Sequence, residues 1–127
     1  MKLRIRDNSV RLRLTRVEVD ALHRDGTVSA ATGFPGGRRL KYSIESSPAI
    51  VNPAAFFSDN EITVRLPESA VLAWATSQTV ALRGEQRLDD GETLVIVAEK
   101  DFACLADHDE DEDQADKYPH PAADKAR

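Results

Sequence analysis

Residues 8–15 read NSVRLRLT and residues 60–67 read NEITVRLP, and these two stretches decide the fold. In both, aliphatic residues alternate with polar or charged ones, which is the period of a strand that buries one face. Each strand runs straight into a helix start: Thr15 and Glu18 have the spacing of a capping box, and Pro67 suits a helix's first turn. The same strand-to-helix junction therefore occurs twice in the sequence, and the alignment of Leu14 with Leu66 gives an offset of 66 − 14 = 52 residues.

The surrounding sequence extends both junctions in the same way. The first helix ends at Asp25–Gly26, where glycine supplies a left-handed C-terminal residue, and the second is predicted over Glu68–Thr76. Two strands follow each helix, at Val28–Thr32, Leu40–Ile44, Thr79–Arg83 and Leu94–Ala98. The offset of 52 brings Val28 onto Val80, and two more residues of slip in the second hairpin turn bring Glu45 onto Glu99.

This order predicts an α+β fold that is mostly β. We expect two strand-helix-strand-strand repeats, about residues 9–45 and 61–99, preceded by an N-terminal strand. Neither repeat buries its own strand face, so we expect the two to face each other in a small barrel-like core with two short helices, closing a barrel that removes exposed edges. The globular domain spans residues 1–106, and residues 107–127 read as an acidic, disordered tail because 107–116 contains no large aliphatic residue.

Length and composition exclude several classes of protein. A chain of 127 residues matches about one domain, and its single Cys forms no intramolecular disulfide. No apolar run approaches the ~18 residues of a membrane span, and the first residues lack the apolar segment of a signal peptide. We therefore expect a cytoplasmic protein without membrane association.

The net charge of −5 hides a polarity along the chain. Residues 1–45 carry ten Lys/Arg and five Asp/Glu, whereas residues 46–106 carry four and nine, and residues 107–127 carry three and eight. A basic front and an acidic back favour attraction within the chain, or partners of opposite charge at its two ends.

The basic residues of the opening hairpin are the first candidate site. If its aliphatic residues face the core, its cations share the opposite face and are able to contact phosphates. The predicted polyanion-binding residues are Lys2, Arg4, Arg6, Arg11, Arg13, Arg38 and Arg39. One alternative is a solvated face whose arginine stems cover apolar edges. Another is a pocket of converging arginines, in a small enzyme acting on a phosphorylated or carboxylated metabolite.

A second candidate is a recognition cluster of Glu99, Lys100 and Asp101 at the end of the last strand. Cys104 and His108 lie close in sequence, but a structural zinc site draws four ligands from Cys and His and would need every such residue of the chain, including His23 and His120. We therefore predict no metal, no cofactor and no catalytic residue, and we lean towards a protein that is not an enzyme.

Two resemblances refine this interpretation. The opening MKLRIRDNSVRLRLT and the late EKDFACL resemble a family of small bacterial proteins with no assigned activity. The strand-to-helix junctions resemble the DNA-binding halves of AbrB-type transition regulators and MazE-type antitoxins, which are swapped-hairpin barrels. That second resemblance implies a regulatory protein that binds DNA through its basic face. The acidic tail would then bind a basic protein partner or mask that face.

Overall fold

The structure is a computed structural model that describes residues 1–102 and 118–119. Its described part contains eight strands and two helices, with a short 3₁₀ turn at Pro35–Gly37. In chain order these are β1 Lys2–Arg6, β2 Ser9–Leu14, α1 Arg16–Asp25, β3 Thr27–Phe34, β4 Arg38–Ser47, β5 Ala54–Ser58, β6 Glu61–Pro67, α2 Glu68–Ala75, β7 Ala81–Arg87 and β8 Thr93–Lys100. The predicted mostly-β α+β class is confirmed.

The strands form two four-stranded sheets, in the orders β1-β2-β8-β7 and β3-β4-β6-β5. Each sheet joins two antiparallel hairpins through one parallel pair, β2 with β8 or β4 with β6. Because α1 leads from β2 to β3 and α2 leads from β6 to β7, each helix carries the chain from one sheet to the other. The helices therefore lie at one end of the two sheets, and the four hairpin turns lie at the other.

The strand order is open in both sheets, so the described strands form no closed barrel. The expectation of a barrel without edges is wrong, because β1, β7, β3 and β5 each remain at the edge of a sheet. One of these edges is held by a side chain: the N–H of Ala55 on β5 donates to Oε1 of Gln86 on β7, at 2.8 Å.

The first strand has a counterpart in the second sheet. β1 and β5 occupy equivalent places, since each pairs antiparallel with the strand that enters a helix. The two sheets also share an equivalent backbone hydrogen bond: Val95 N–H donates to Asn8 O in one sheet, and Lys41 N–H donates to Asn60 O in the other, both at 3.0 Å. The order hairpin-helix-hairpin therefore occurs twice along the chain, and each sheet takes one hairpin from each half.

The change of offset from 52 to 54 residues lies before β7, not in the hairpin turn where the sequence analysis predicts it. The N–H of Ser46 donates to Gly26 O, and the N–H of Lys100 donates to Val80 O. Val80 is thus the equivalent of Gly26, at an offset of 54, and β7 begins two residues later than predicted. The insertion lies in the loop after α2, which lacks the glycine that ends α1.

The core lies between the sheets and under the helices. Alternating residues of the central strands supply it, and α1 and α2 each contribute one apolar stripe. Its largest fully buried side chains are Trp74, Leu12, Leu14, Leu22, Ile44, Leu66, Ile96, Val64 and Val71. The indole N–H of Trp74 donates to Val80 O at 3.1 Å, so this buried polar group is satisfied.

The N-terminus of α1 is capped as the sequence predicts. Thr15 N–H donates to Glu18 Oε1 at 2.9 Å, and Glu18 N–H donates to Thr15 Oγ1 at 3.3 Å. Gly26, at φ 86°, ends the helix in the left-handed conformation. The Met1 ammonium also binds the Glu18 carboxylate, which ties the start of β1 to the helix.

Candidate functional site

The outer side of the sheet β1-β2-β8-β7 is rich in cations. The β1–β2 register sets Lys2 opposite Arg13 and Arg4 opposite Arg11. Leu3 lies opposite Leu12 on the core side, so the predicted separation of aliphatic and cationic faces is observed. The register through β8 adds two cations of β7 to the same side. We call this side the basic face, with the cations Lys2, Arg4, Arg6, Arg11, Arg13, Arg83 and Arg87.

Arg83 and Arg87 are members of the basic face that sequence reasoning missed. Arg83 lies opposite Val97, which in turn lies opposite Arg11 on β2. Arg87 lies beyond the predicted strand Thr79–Arg83, whereas Arg83 lies within it but reaches the basic face only because β7 and β2 both pair with β8. In β7 every second residue from Arg83 to Arg87 is charged, and the residue between the two arginines on the same side is Glu85.

The predicted recognition cluster is divided by the pleat of β8. The Glu99 and Asp101 carboxylates join the basic face, where Asp101 lies 3.5 Å from the Lys2 ammonium. Lys100 points the other way, and its Nζ donates to Ser77 O at 2.9 Å, in the loop after α2. Two of the three residues therefore belong to the basic face, and the third fastens β8 to a loop.

Glu99 lies among the cations of the basic face. Both Nε and Nη2 of Arg13 donate to Glu99 Oε1, at 3.1 and 3.0 Å. Nη1 of Arg11 lies 3.4 Å from each Glu99 carboxylate oxygen. The side chains surround a shallow depression of about 260 Å³ that Lys2, Leu3 and Arg4 also line. Among the described residues, the depression thus sets the Glu99 carboxylate against several cations.

The other two predicted cations lie elsewhere. Arg38 and Arg39 begin β4 in the second sheet, opposite Phe34 and Gly33 of β3. They are therefore not brought onto the basic face. The outer side of the second sheet is also closer to charge balance, because Arg65 Nε donates to Glu45 at 3.0 Å and Lys41 Nζ lies 3.9 Å from Glu61.

A second cavity, of about 440 Å³, opens at the end of the sheets that carries the hairpin turns. It is lined by apolar side chains of both sheets, Ile5, Val10, Ala55, Phe56, Phe57, Ile62, Leu88 and Leu94. Two of its residue pairs, Ile5 with Phe57 and Val10 with Ile62, are equivalent at the offset of 52. Equivalent residues of the two sheets therefore line opposite sides of the cavity. Because no charged side chain lines it, it is not a candidate anion site.

Some predictions fall on residues that the structure does not describe. Cys104, His108 and the acidic segment 107–116 are among them, so their roles stay predictions. Within residues 1–102 and 118–119, no three His, Cys, Asp or Glu side chains are grouped to hold a metal ion. Neither helix of this described part combines the length and the apolar character that crossing a membrane requires.

Comparison with known proteins identifies the family of the chain. A model of a family of unknown function (DUF7009) matches residues 1–122. No curated protein and no solved structure matches the chain. The predicted membership of an uncharacterised family is confirmed. The likeness of the two junctions to AbrB-type and MazE-type proteins has no counterpart among these comparisons and stays a resemblance in sequence.

Proposed function

The chain belongs to DUF7009, a family of unknown function, and from the geometry of its outer strands we propose that it binds nucleic acid through the basic face. Lys2, Arg4, Arg6, Arg11 and Arg13 contact backbone phosphates in this proposal, with Arg83 and Arg87 beside them. Contacts of this kind are electrostatic and largely independent of sequence, so the expected activity is binding without catalysis.

The observation that carries the proposal is the difference between the two sheets. Because the fold uses the same hairpin twice, the second sheet shows which outer residues the fold itself needs. The equivalents of Lys2, Arg4, Arg6 and Arg11 at the offset of 52 are Ala54, Phe56, Ser58 and Thr63. Only Arg13 has a cationic equivalent, Arg65. Four of these five cations are therefore not required by the architecture, which supports a functional role for them.

The extent of the basic face favours a polymer over a small metabolite. From Lys2 to Arg6 the row of β1 spans about 13 Å, at ~3.3 Å per residue, and further cations lie on β2 and β7. A single phosphate or carboxylate group contacts only part of such an array. The two strand-to-helix junctions also resemble in sequence those of AbrB-type and MazE-type proteins, and this resemblance supports DNA as the first ligand to test and a regulatory role.

The test is a titration of the full chain against a fluorescein-labelled DNA duplex and its single strand. Binding is followed by fluorescence anisotropy from about 50 to 200 mM salt, because phosphate contacts make the affinity fall steeply over this range. The informative variant is Arg4→Gln with Arg6→Gln on β1. We expect an affinity loss on the order of tenfold at low salt and a salt slope shallower by about two, or about one per contact removed.

The matched control is Arg39→Gln with Lys41→Gln on β4. It has the same net charge as the β1 variant, −5 − 2 = −7, but leaves the basic face intact. We expect the DNA affinity of this control to lie within about twofold of that of the parent chain, because removing two cations outside the basic face changes only the overall electrostatic potential of the protein. Equal losses in both variants, or no binding to either probe at low salt, would exclude the proposal. Tight binding of a small phosphorylated compound without DNA binding would favour the metabolite alternative.

A further inference from the structure

The surroundings of Glu99 suggest a defined subsite within the basic face. Its side chain is only 14% exposed, and the Arg11 and Arg13 side chains beside it are 26% and 25% exposed. Two guanidinium groups therefore converge on one carboxylate in a partly desolvated place, where charge-assisted hydrogen bonds are stronger than on an open surface. Lys2 and Arg4 line the same depression.

The second sheet again supplies the comparison. Glu45 is the equivalent of Glu99 at the offset of 54, and it pairs with Arg65, the equivalent of Arg13. That pair has Thr63 where the basic face has Arg11, and its side chains are 38% and 37% exposed. One Arg–Glu pair per sheet therefore belongs to the repeated architecture. The second guanidinium and the closer packing occur only at Glu99.

We propose that the depression around Glu99 is a subsite for one phosphate group, and that Glu99 sets its affinity. The carboxylate holds Arg11 and Arg13 in position, and it competes with the incoming phosphate for the same donors. This inference rests on the proposed function, because the phosphate belongs to the ligand of the basic face. It adds that one acidic residue weakens binding and that its removal strengthens binding.

The experiment compares Glu99→Gln with Glu45→Gln in the full chain. Glutamine keeps the shape and an acceptor oxygen but removes the charge, so each variant loses one carboxylate from an Arg–Glu pair. For Glu99→Gln we expect DNA affinity to rise about three- to tenfold at low salt and the salt slope to steepen by about one. For Glu45→Gln we expect a change of less than about twofold.

A second probe identifies the source of the phosphate. Inorganic tripolyphosphate is titrated against the same variants by calorimetry. Tightening for both ligands by Glu99→Gln supports a subsite for any phosphate group, and tightening for DNA alone supports one shaped by the nucleic-acid backbone. If Glu99→Gln tightens neither ligand, or if Glu45→Gln has the same effect, the inference is wrong.

Failure of this inference is distinguishable from failure of the proposed function. If Arg4→Gln with Arg6→Gln weakens DNA binding while Glu99→Gln leaves it unchanged, the basic face binds DNA but Glu99 does not control it. If no variant binds DNA, the proposed function fails first. Should Glu99→Gln not fold, Glu99→Asp keeps the charge but withdraws it by one methylene, and we expect an affinity between those of the parent chain and the neutral variant. An Asp variant that binds no more tightly than the parent chain would then overturn the inference.

Discussion

A methyl group added at Gly84 tests how the two sheets meet. Gly84 lies on β7, and a Cβ built there comes within 2.7, 2.8 and 2.9 Å of the Cγ, Cδ and Cβ atoms of Pro53, the residue before β5. These distances lie well inside van der Waals contact, and a proline ring has little freedom to move aside. Overpacking of this kind lowers the free energy of unfolding by about 1–3 kcal/mol. Alanine also restricts the unfolded chain more than glycine does, which offsets about 0.5–1 kcal/mol of that loss.

Gly84→Ala is therefore expected to lower the free energy of unfolding by about 1–2 kcal/mol, which corresponds to a drop in Tm of about 4–8 °C per kcal/mol for a domain near 100 residues. Urea unfolding followed by Trp74 fluorescence measures the loss directly. The matched control is Gly33→Ala on β3, where an added Cβ meets nothing within 4 Å, and its stability is expected to be unchanged or slightly raised.

The clash also predicts a partial rescue. Pro53→Ala removes the Cγ and Cδ atoms, so the two substitutions together are expected to cost less than the sum of their separate effects. If Gly84→Ala is as stable as the parent chain, or if the two effects simply add, then β7 does not pack against the segment before β5 and this account of the sheet contact is wrong.

Two further predictions concern the acidic groups. Partial burial acts to raise the pKa of Glu18, but hydrogen bonds from the N-terminal ammonium and from Thr15 outweigh it and hold the pKa below the usual value for Glu. The ionised carboxylate therefore stabilises the fold at pH values above the usual pKa, and this stabilisation is lost as the pH falls through the lowered pKa. Urea unfolding near pH 6 and pH 3 is therefore expected to show a smaller loss for Glu18→Gln than for the parent chain, and parallel losses would contradict this. Changing the Asp and Glu residues of 107–116 to Asn and Gln is expected to raise DNA affinity in the anisotropy assay, since it removes a competing polyanion; an unchanged or lower affinity would show that the segment does not compete.

The strand that sequence reasoning missed shows a limit of hydrophobic periodicity. Residues 54–58 read AAFFS, which has no alternation, and the strand lies at a sheet edge with Phe56 and Phe57 exposed. Its counterpart β1 alternates cleanly because its charged residues mark one face. The repeat carried the missing information: the offset of 52 maps Lys2–Arg6 onto Ala54–Ser58, and Asp7 and Asp59 both adopt positive φ in the turns that follow.

The misplaced slip has a physical cause in the helix ends. Gly26 marks the end of α1 in the sequence, whereas no glycine follows α2: the helix ends at Ala75, and the N–H of Thr76 donates to Leu72 O. Without a glycine to mark the end of α2, the pattern of apolar residues aligns Val28 with Val80, whereas the structure makes Val80 the equivalent of Gly26. The correct equivalence depends on backbone hydrogen bonds between distant strands, which composition and spacing do not encode.

The outer strands separate what local pattern predicts from what long-range pairing adds. Alternation alone was sufficient to place Lys2, Arg4 and Arg6 on one side of the hairpin, and the register agrees. It was not sufficient to show that Glu99 sits beside Arg13, because 86 residues and a parallel pairing separate them. The sequence alignment had nevertheless matched Arg13 with Arg65 and Glu45 with Glu99. In the structure these residues form two cross-strand ion pairs, Arg13–Glu99 between β2 and β8 and Arg65–Glu45 between β6 and β4. Because each sheet contains one hairpin from each half of the chain, equivalent residues form equivalent ion pairs in the two sheets. A residue such as Arg11, whose equivalent is Thr63, is one that the fold alone does not explain.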